Sequence, residues 1–248
     1  MFLKLKTRDF NFQKIFNSGL FYFFYESEPI REIYFNGKLF KLEFRQENNY
    51  LIITCPMKFK KEERDQLIRR IKYCFGLEED LTDFYKICEK DPVLKYHLEK
   101  IKETRIISAF SDFESLVGAI ISQNNSYKNY RRQMYSVYKK INFIPENYTE
   151  KKLSGLKLGY KVSFLVGLAK TFGKIEIGKI KGIGKYSINL FEIFQRRNYN
   201  CFYMDCLTEK ILREKYKIKD NFEENTKRLW GKYRGLAEAY LQRFFEIK

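Results

Sequence analysis

Two short stretches in the second half of the sequence hold residue types that could do chemistry. The first is Ile180-Lys181-Gly182-Ile183-Gly184, with a helical pattern ending near Phe172-Gly173 before it and a second beginning at Lys185. Two glycines separated by one apolar residue make a tight turn whose backbone N–H groups point outward at a helix N-terminus. Such a turn holds a phosphate through N–H groups and the helix dipole, without regard to base. The second stretch is Phe202-Tyr203-Met204-Asp205-Cys206-Leu207, followed by a helical pattern. Taken alone, Asp205 reads as a helix N-cap. Other residue types narrow the field. His97 is the single histidine and lies among Lys95, Glu99 and Lys100, the pattern of an ordinary amphipathic helix. That argues against a histidine-activated nucleophile and excludes a histidine-rich zinc site. The five cysteines, Cys55, Cys74, Cys88, Cys201 and Cys206, lack CxxC spacing. They suggest neither a disulfide framework nor an iron–sulfur cluster. Carboxylates, lysines and backbone are left for any catalysis.

Charge says where a polyanion would sit. The 248 residues carry 48 Lys+Arg against 31 Asp+Glu, a net charge of +17. Residues 1–50 hold eight basic and six acidic side chains, whereas residues 151–190 hold nine lysines and one acid, Glu176. A clustered lysine excess is the footprint of a phosphate-binding face. These lysines are interleaved with glycines rather than laid along one amphipathic helix, which disfavours a membrane surface. No apolar run reaches the roughly 18 residues of a membrane span, and the N-terminus lacks a signal-peptide pattern. The expectation is a soluble, intracellular protein, in the cytoplasm or nucleoid if prokaryotic. A hydrophobic content of 44% argues for a folded core.

The elements that must position these stretches are legible from their periods. Phe21–Ser27 is an aromatic run read as a strand, and Ile30–Asn36 follows Pro29. Asn36-Gly37 signals a hairpin. Lys38–Arg45 then alternates Phe40, Leu42 and Phe44 with Lys41, Glu43 and Arg45, and Asn48-Asn49 turns into Tyr50–Thr54. This is an antiparallel meander with one buried face. After Pro56 the period becomes helical. Helices are expected over Lys60–Phe75, from a capping box at Ser111-Asp112-Phe113-Glu114 through Ile121, over Tyr127–Ile141, and over 161–172, 185–197, 206–216 and 234–246. The fold class is α+β: an N-terminal antiparallel β-sheet domain (1–58), helices from about 59–105 between the parts, and a mostly α-helical domain (106–248) with a helix-hairpin-helix at about 161–197.

A Gly-x-Gly hairpin followed at this distance by an Asp that opens a helix resembles the helix-hairpin-helix DNA glycosylase superfamily, most nearly its 8-oxoguanine branch, with the alkylation-repair (3-methyladenine) glycosylases next. Four further stretches carry the resemblance in the same order. Asn17-Ser18-Gly19-Leu20-Phe21 is similar to that branch's Ser-Gly-Gln-x-Phe. Ile120-Ile121-Ser122-Gln123-Asn124-Asn125 resembles the segment that fills the gap left by an extruded base. Leu158-Gly159-Tyr160-Lys161 resembles a Gly-Tyr-Arg whose tyrosine wedges into the duplex. Trp230 to Glu238 resembles Gly-Pro-Tyr-Ala-Gly-x-Ala-Gln.

The resemblance implies a base-excision enzyme that flips a damaged purine, 8-oxoguanine first, out of double-stranded DNA and hydrolyses its N-glycosidic bond. Asp205 would stabilise the sugar cation and activate water. The lysine nucleophile of that branch falls at Tyr186 here, and Lys185 is one residue early, a turn of about 100° on a helix. The chain therefore reads as monofunctional, with Lys185 catalytic only in a bifunctional glycosylase/lyase. The implied base pocket is Gly19, Tyr186, Leu190, Leu207, Glu238 and Gln242. The implied DNA contacts are Asn124, Asn125, Asn129, Tyr160, Lys161, Lys181, Gly182, Ile183, Gly184 and Lys185. Asn129 and Lys161 stand where the branch has arginines that read the orphaned cytosine, so choice of the opposite base should be relaxed. No cofactor or metal is called for, with room only for a monovalent cation where hairpin meets phosphate. The expected state is a monomer. Alternatives are an alkyladenine or deaminated-purine glycosylase, or a non-catalytic DNA-damage binding module.

Overall fold

The computed structural model describes residues 1–18 and 24–245. Its sheet has four antiparallel strands, β1 (Phe2–Lys6), β2 (Ile30–Phe35), β3 (Lys38–Glu47) and β4 (Tyr50–Thr54), in the order β1-β4-β3-β2. The meander β2–β3–β4 is as its alternation requires, and Ile33 pairs with Phe40 and Phe44 with Ile53 across it. Phe40, Leu42 and Phe44 are buried, while Lys41 and Glu43 are exposed. The first strand adds to the far edge, Leu3 opposite Ile53.

One expectation fails here. The aromatic run Phe21–Ser27 falls partly on residues 19–23, outside the described residues, and of the rest Phe24 is irregular and Tyr25–Ser27 form bends rather than a strand. Tyr25 turns its ring into the helical core, stacked on Tyr138 at 4.7 Å, with the Arg31 guanidinium 4.2 Å from its centre. Packing against the helices, rather than a ladder, satisfies this aromatic residue. A short helix, α1 (Phe12–Ser18), precedes it, its buried Phe12 and Ile15 spaced for one face and Asn11 Oδ1 accepting from Lys14 N.

The helices follow as α2 (Lys61–Cys74), α3 (Thr82–Lys90), α4 (Leu98–Glu103), α5 (Asp112–Ser122), α6 (Tyr127–Ile141), α7 (Glu150–Leu153), α8 (Lys161–Thr171), α9 (Lys185–Phe194), α10 (Cys206–Lys215), α11 (Phe222–Trp230) and α12 (Arg234–Phe245). Ser111 caps α5, its hydroxyl accepting from Glu114 N at 3.0 Å. The expected capping box is only half made. Glu114, 1% exposed, instead accepts from Phe110 N and Tyr25 OH and pairs with Arg31 of β2. A buried guanidinium needs a buried carboxylate more than an exposed helix end needs a second bond. This network fastens the sheet to α5.

Buried side chains form two clusters. One joins the sheet to α2–α4 and α10–α12, and the other fills the space among α5, α6, α7 and α8. Helix α9 contributes Leu190, Ile193 and Phe194 to the first and Phe191 to the second. The loops at the starts of α9 and α10 therefore lie along the seam. No described helix is long and apolar enough to cross a membrane.

Candidate active site

The hairpin forms because its two isoleucines are buried while its glycines and lysines are left outside. Ile180 and Ile183 are 4% and 6% exposed, and Ile183 N closes the turn onto Ile180 O at 3.0 Å. Gly182 has φ +90° and lies against the Phe164 ring of α8, with no room for a side chain. Gly184 is the N-cap of α9 and has no side chain to cap it, and a helix start of this kind meets an anion through its backbone N–H groups. Lys181 and Lys185 are exposed on either side. Gln123, at the exit of α5, donates to Gly182 O at 2.7 Å and Ser187 Oγ at 2.8 Å. It locks the hairpin to α5. Sequence reasoning passed over Gln123, although it lies within a motif already singled out.

That exit also carries Asn124, which meets Tyr160. Asn124 adopts φ +47° and is exposed, and its Nδ2 donates to Tyr160 Oη at 3.3 Å. Tyr160 is 53% exposed after Gly159, whose φ is +58°. Two residues 36 positions apart in sequence thus share one protrusion. Asn125 donates to Ile121 O at 3.0 Å and Gln133 Oε1 at 2.8 Å.

Asp205 caps α10: its Oδ1 accepts from Thr208 N at 2.7 Å. Its Oδ2 accepts from Gln242 Nε2 of α12 at 3.0 Å. The carboxylate is half-buried on the wall of a cavity of about 640 Å³ at the seam, which Asn124, Asn125, Gly184, Tyr186, Leu207 and Gln242 also line. The N-cap and the cavity roles are compatible, because each uses a different oxygen. Met204 and Tyr127 add apolar and aromatic wall that the sequence did not single out.

Other expected site residues lie elsewhere. Leu190 is 1% exposed within the sheet-side core. Glu238, also 1% exposed, sits behind Thr208, accepting from Thr208 Oγ1 at 2.9 Å and Tyr203 N at 3.2 Å. Burial holds its carboxyl well above the usual carboxylate range, and the Asp205 charge adds to this. Lys161 is buried, with its ammonium donating to Ile121 O at 2.7 Å, and burial lowers its pKa. It braces α8 against α5. Asn129 bonds with Asn125 and Arg132, off the cavity wall. Lys185 is exposed but does not line the cavity, whereas its neighbour Tyr186 does, edge-on to Tyr203 at 5.5 Å. Gly19 lies outside the described residues. His97 stacks on Phe244 at 4.2 Å, away from Asp205, and burial and Lys100 lower its pKa.

The N-terminal part of the chain matches one family domain, and the whole chain is similar in fold to solved DNA glycosylases. Residues 2–116 match the family described as 8-oxoguanine DNA glycosylase, N-terminal domain. No curated protein sequence matches the chain. Among solved structures it is similar to the apo form of Clostridium acetobutylicum 8-oxoguanine glycosylase/lyase, with 18% identity, 98% of each chain covered and a TM-score of 0.73. The same enzyme with double-stranded DNA containing cytosine opposite 8-oxoguanine has 17% identity, coverage of 98% of this chain and 97% of that one, and a TM-score of 0.74. The 3-methyladenine DNA-glycosylase from Archaeoglobus fulgidus has 17% identity, 100% coverage of both chains and a TM-score of 0.76. At such identities the likeness establishes the fold.

Proposed function

We propose that this chain is a base-excision glycosylase that turns a damaged purine, 8-oxoguanine first, out of duplex DNA and hydrolyses its N-glycosidic bond with water. The observation that carries the reading is the place of Asp205. Its carboxylate lines the seam cavity, held by two N–H donors, between a phosphate-binding hairpin and an exposed Asn124–Tyr160 pair.

The chemistry follows from that arrangement. Loss of a base develops positive charge on the sugar. An ionised carboxylate at a helix N-terminus stabilises that charge and orients or deprotonates the attacking water. Extrusion costs a few kcal/mol and is cheapest for a damaged or mispaired base. Tyr160 and Asn124 fill the space it leaves, while Gly182, Ile183 and Gly184 with Lys181 and Lys185 hold the backbone. Lys185 lies off the cavity wall and Tyr186 on it, which supports hydrolysis without strand cleavage. The matched N-terminal domain supports 8-oxoguanine as the lesion.

A second reading, an alkylated or deaminated purine, is favoured by Glu238 and Leu190 being drawn out of the cavity. The cavity wall then offers Tyr186, Tyr127, Met204 and Leu207 as stacking surface beside the polar Ser122, Asn124, Asn125 and Ser126.

Duplexes carrying single oxoguanine, methyladenine, hypoxanthine or uracil lesions, scored for base release with and without alkali, test this. Release of a purine lesion that Asp205→Asn abolishes is expected. Release that survives Asp205→Asn would refute the mechanism. Cleavage without alkali, with borohydride trapping lost in Lys185→Ala, would refute the monofunctional assignment. Tight lesion binding with no release would make the chain a damage-binding module.

A further inference from the structure

We infer that Gln242 is a positioning residue for Asp205, an amide whose orientation is locked so that it donates to the carboxylate. This rests on the reading of Asp205 as the catalytic group. Gln242 is on α12, 37 positions from Asp205 in sequence, and its Nε2 reaches both Asp205 Oδ2 at 3.0 Å and Thr208 Oγ1 at 2.7 Å. Its Oε1 accepts from Tyr203 Oη at 2.7 Å. The ring of bonds closes through Thr208 Oγ1 to Glu238 Oε1 and from Tyr203 N to Glu238 Oε2.

An amide can flip by half a turn at little cost in shape. Here a flip would set Oε1 against Asp205 Oδ2, acceptor against acceptor, and carry Nε2 to the tyrosine. The ionised aspartate, which only accepts, selects the orientation, and the tyrosine hydroxyl, able to donate or accept, fits it by donating to Oε1. Each carboxylate oxygen then has one fixed donor, Thr208 N on Oδ1 and Gln242 Nε2 on Oδ2, and Oδ2 keeps a lone pair for the cavity. Because the amide's hydrogen-bonding atoms are committed to Asp205, Thr208 and Tyr203, Gln242 contributes its alkyl stem, not its polar head, to the base. The ionisable groups around it are Asp205 and Cys206 at the start of α10, Tyr203 before them, Tyr186 of α9, and Glu238 one turn back on α12.

The test uses purified full-length protein, single-turnover base release and lesion-duplex affinity. Gln242→Leu should slow release by about 10- to 100-fold, by analogy with the loss of a hydrogen-bond partner that orients a metal ligand, with duplex affinity nearly unchanged. Gln242→Glu carries the distinguishing signature. At about pH 8 a second carboxylate faces Asp205, which disfavours two charges in one site, and release should fall below that of Gln242→Leu. As the pH drops toward about 5.5 the new carboxyl protonates, regains a donor, and the two acids share one proton. Release should then climb in Gln242→Glu while staying low in Gln242→Leu. Tyr203→Phe removes the donor that holds Oε1 and loosens the amide. It should slow release in wild type and add little in the Gln242→Leu background, and it covers the case in which a change on α12 impairs folding.

If Gln242→Leu and Gln242→Glu both release base like wild type while Asp205→Asn is dead, the inference is wrong and the glycosylase reading stands. The inference also fails if the two Gln242 variants share one pH profile, or if Gln242→Leu changes only the lesion preferred. If wild type releases no base, it is the glycosylase reading that fails.

Discussion

The Gly182→Ala substitution tests the hairpin with two separable costs. The residue has φ +90°, where a Cβ collides with its own backbone, and an added methyl would lie 2.7 Å from Cδ2 and 2.8 Å from Cβ of Phe164. Left-handed backbone costs an L-residue about 1–2 kcal/mol, and forcing a methyl into filled space costs about 1–3 kcal/mol. The two together predict a loss of about 2–5 kcal/mol in urea denaturation. At about 2–4 °C per kcal/mol for a chain of this size, the melting temperature should fall visibly. DNA affinity should fall more than stability predicts, because the turn that presents the N–H groups is the part displaced. Pairing the change with Phe164→Ala removes the collision but not the backbone cost. The double-mutant cycle should therefore recover about 1–3 kcal/mol of coupling. A Gly182→Ala protein with unchanged melting and unchanged duplex affinity would refute both the strain and the phosphate-binding argument. Additive single changes would refute the Phe164 contact.

Two further predictions follow from groups that turned away from the cavity. Lys161→Met should leave duplex affinity almost unchanged, because the ammonium is spent on Ile121 O. A lysine with a lowered native pKa makes the unfolded chain hold more protons, so stability rises with pH toward the unfolded value of about 10.4. Urea denaturation as pH approaches about 10.4 should show that rise in wild type and less of it in Lys161→Met. Glu238 has the opposite sign: its native pKa is raised, so its contribution is complete below about pH 4.3 and is lost as pH rises toward the native value. Glu238→Gln keeps an acceptor for Tyr203 N and a polar partner for Thr208 Oγ1, and its stability relative to wild type should grow as pH rises above about 4.3. A parallel pH dependence in the two proteins would contradict the upward shift of the buried carboxyl.

Much of the frame was legible because its causes are local. Strand alternation at Lys38–Arg45 and the Asn36-Gly37 turn, the Ser111 cap, and the apolar stripe of Tyr127–Ile141 each record a contact made within a few residues. The elements appear within a few residues of those positions. The short α1 and the bent Tyr25–Ser27 were not legible. A seven-residue helix carries less than two turns of periodicity, and an aromatic run reads the same whether its rings pair across a ladder or enter a helical core.

The sequence by itself determined which residues could share a surface: Glu238 and Gln242 lie four apart on one helix and must point in similar directions. Tertiary structure decided how deep each one sits. Tyr203 and Thr208 close over Glu238 and leave it 1% exposed, while one turn further on Gln242 clears their edge and meets Asp205. Lys161 and Lys185 are parted in the same way, one buried against α5 and one out on the hairpin. Helical period fixes direction around an axis. Only the neighbouring elements fix where along that axis the protein ends and the cavity begins.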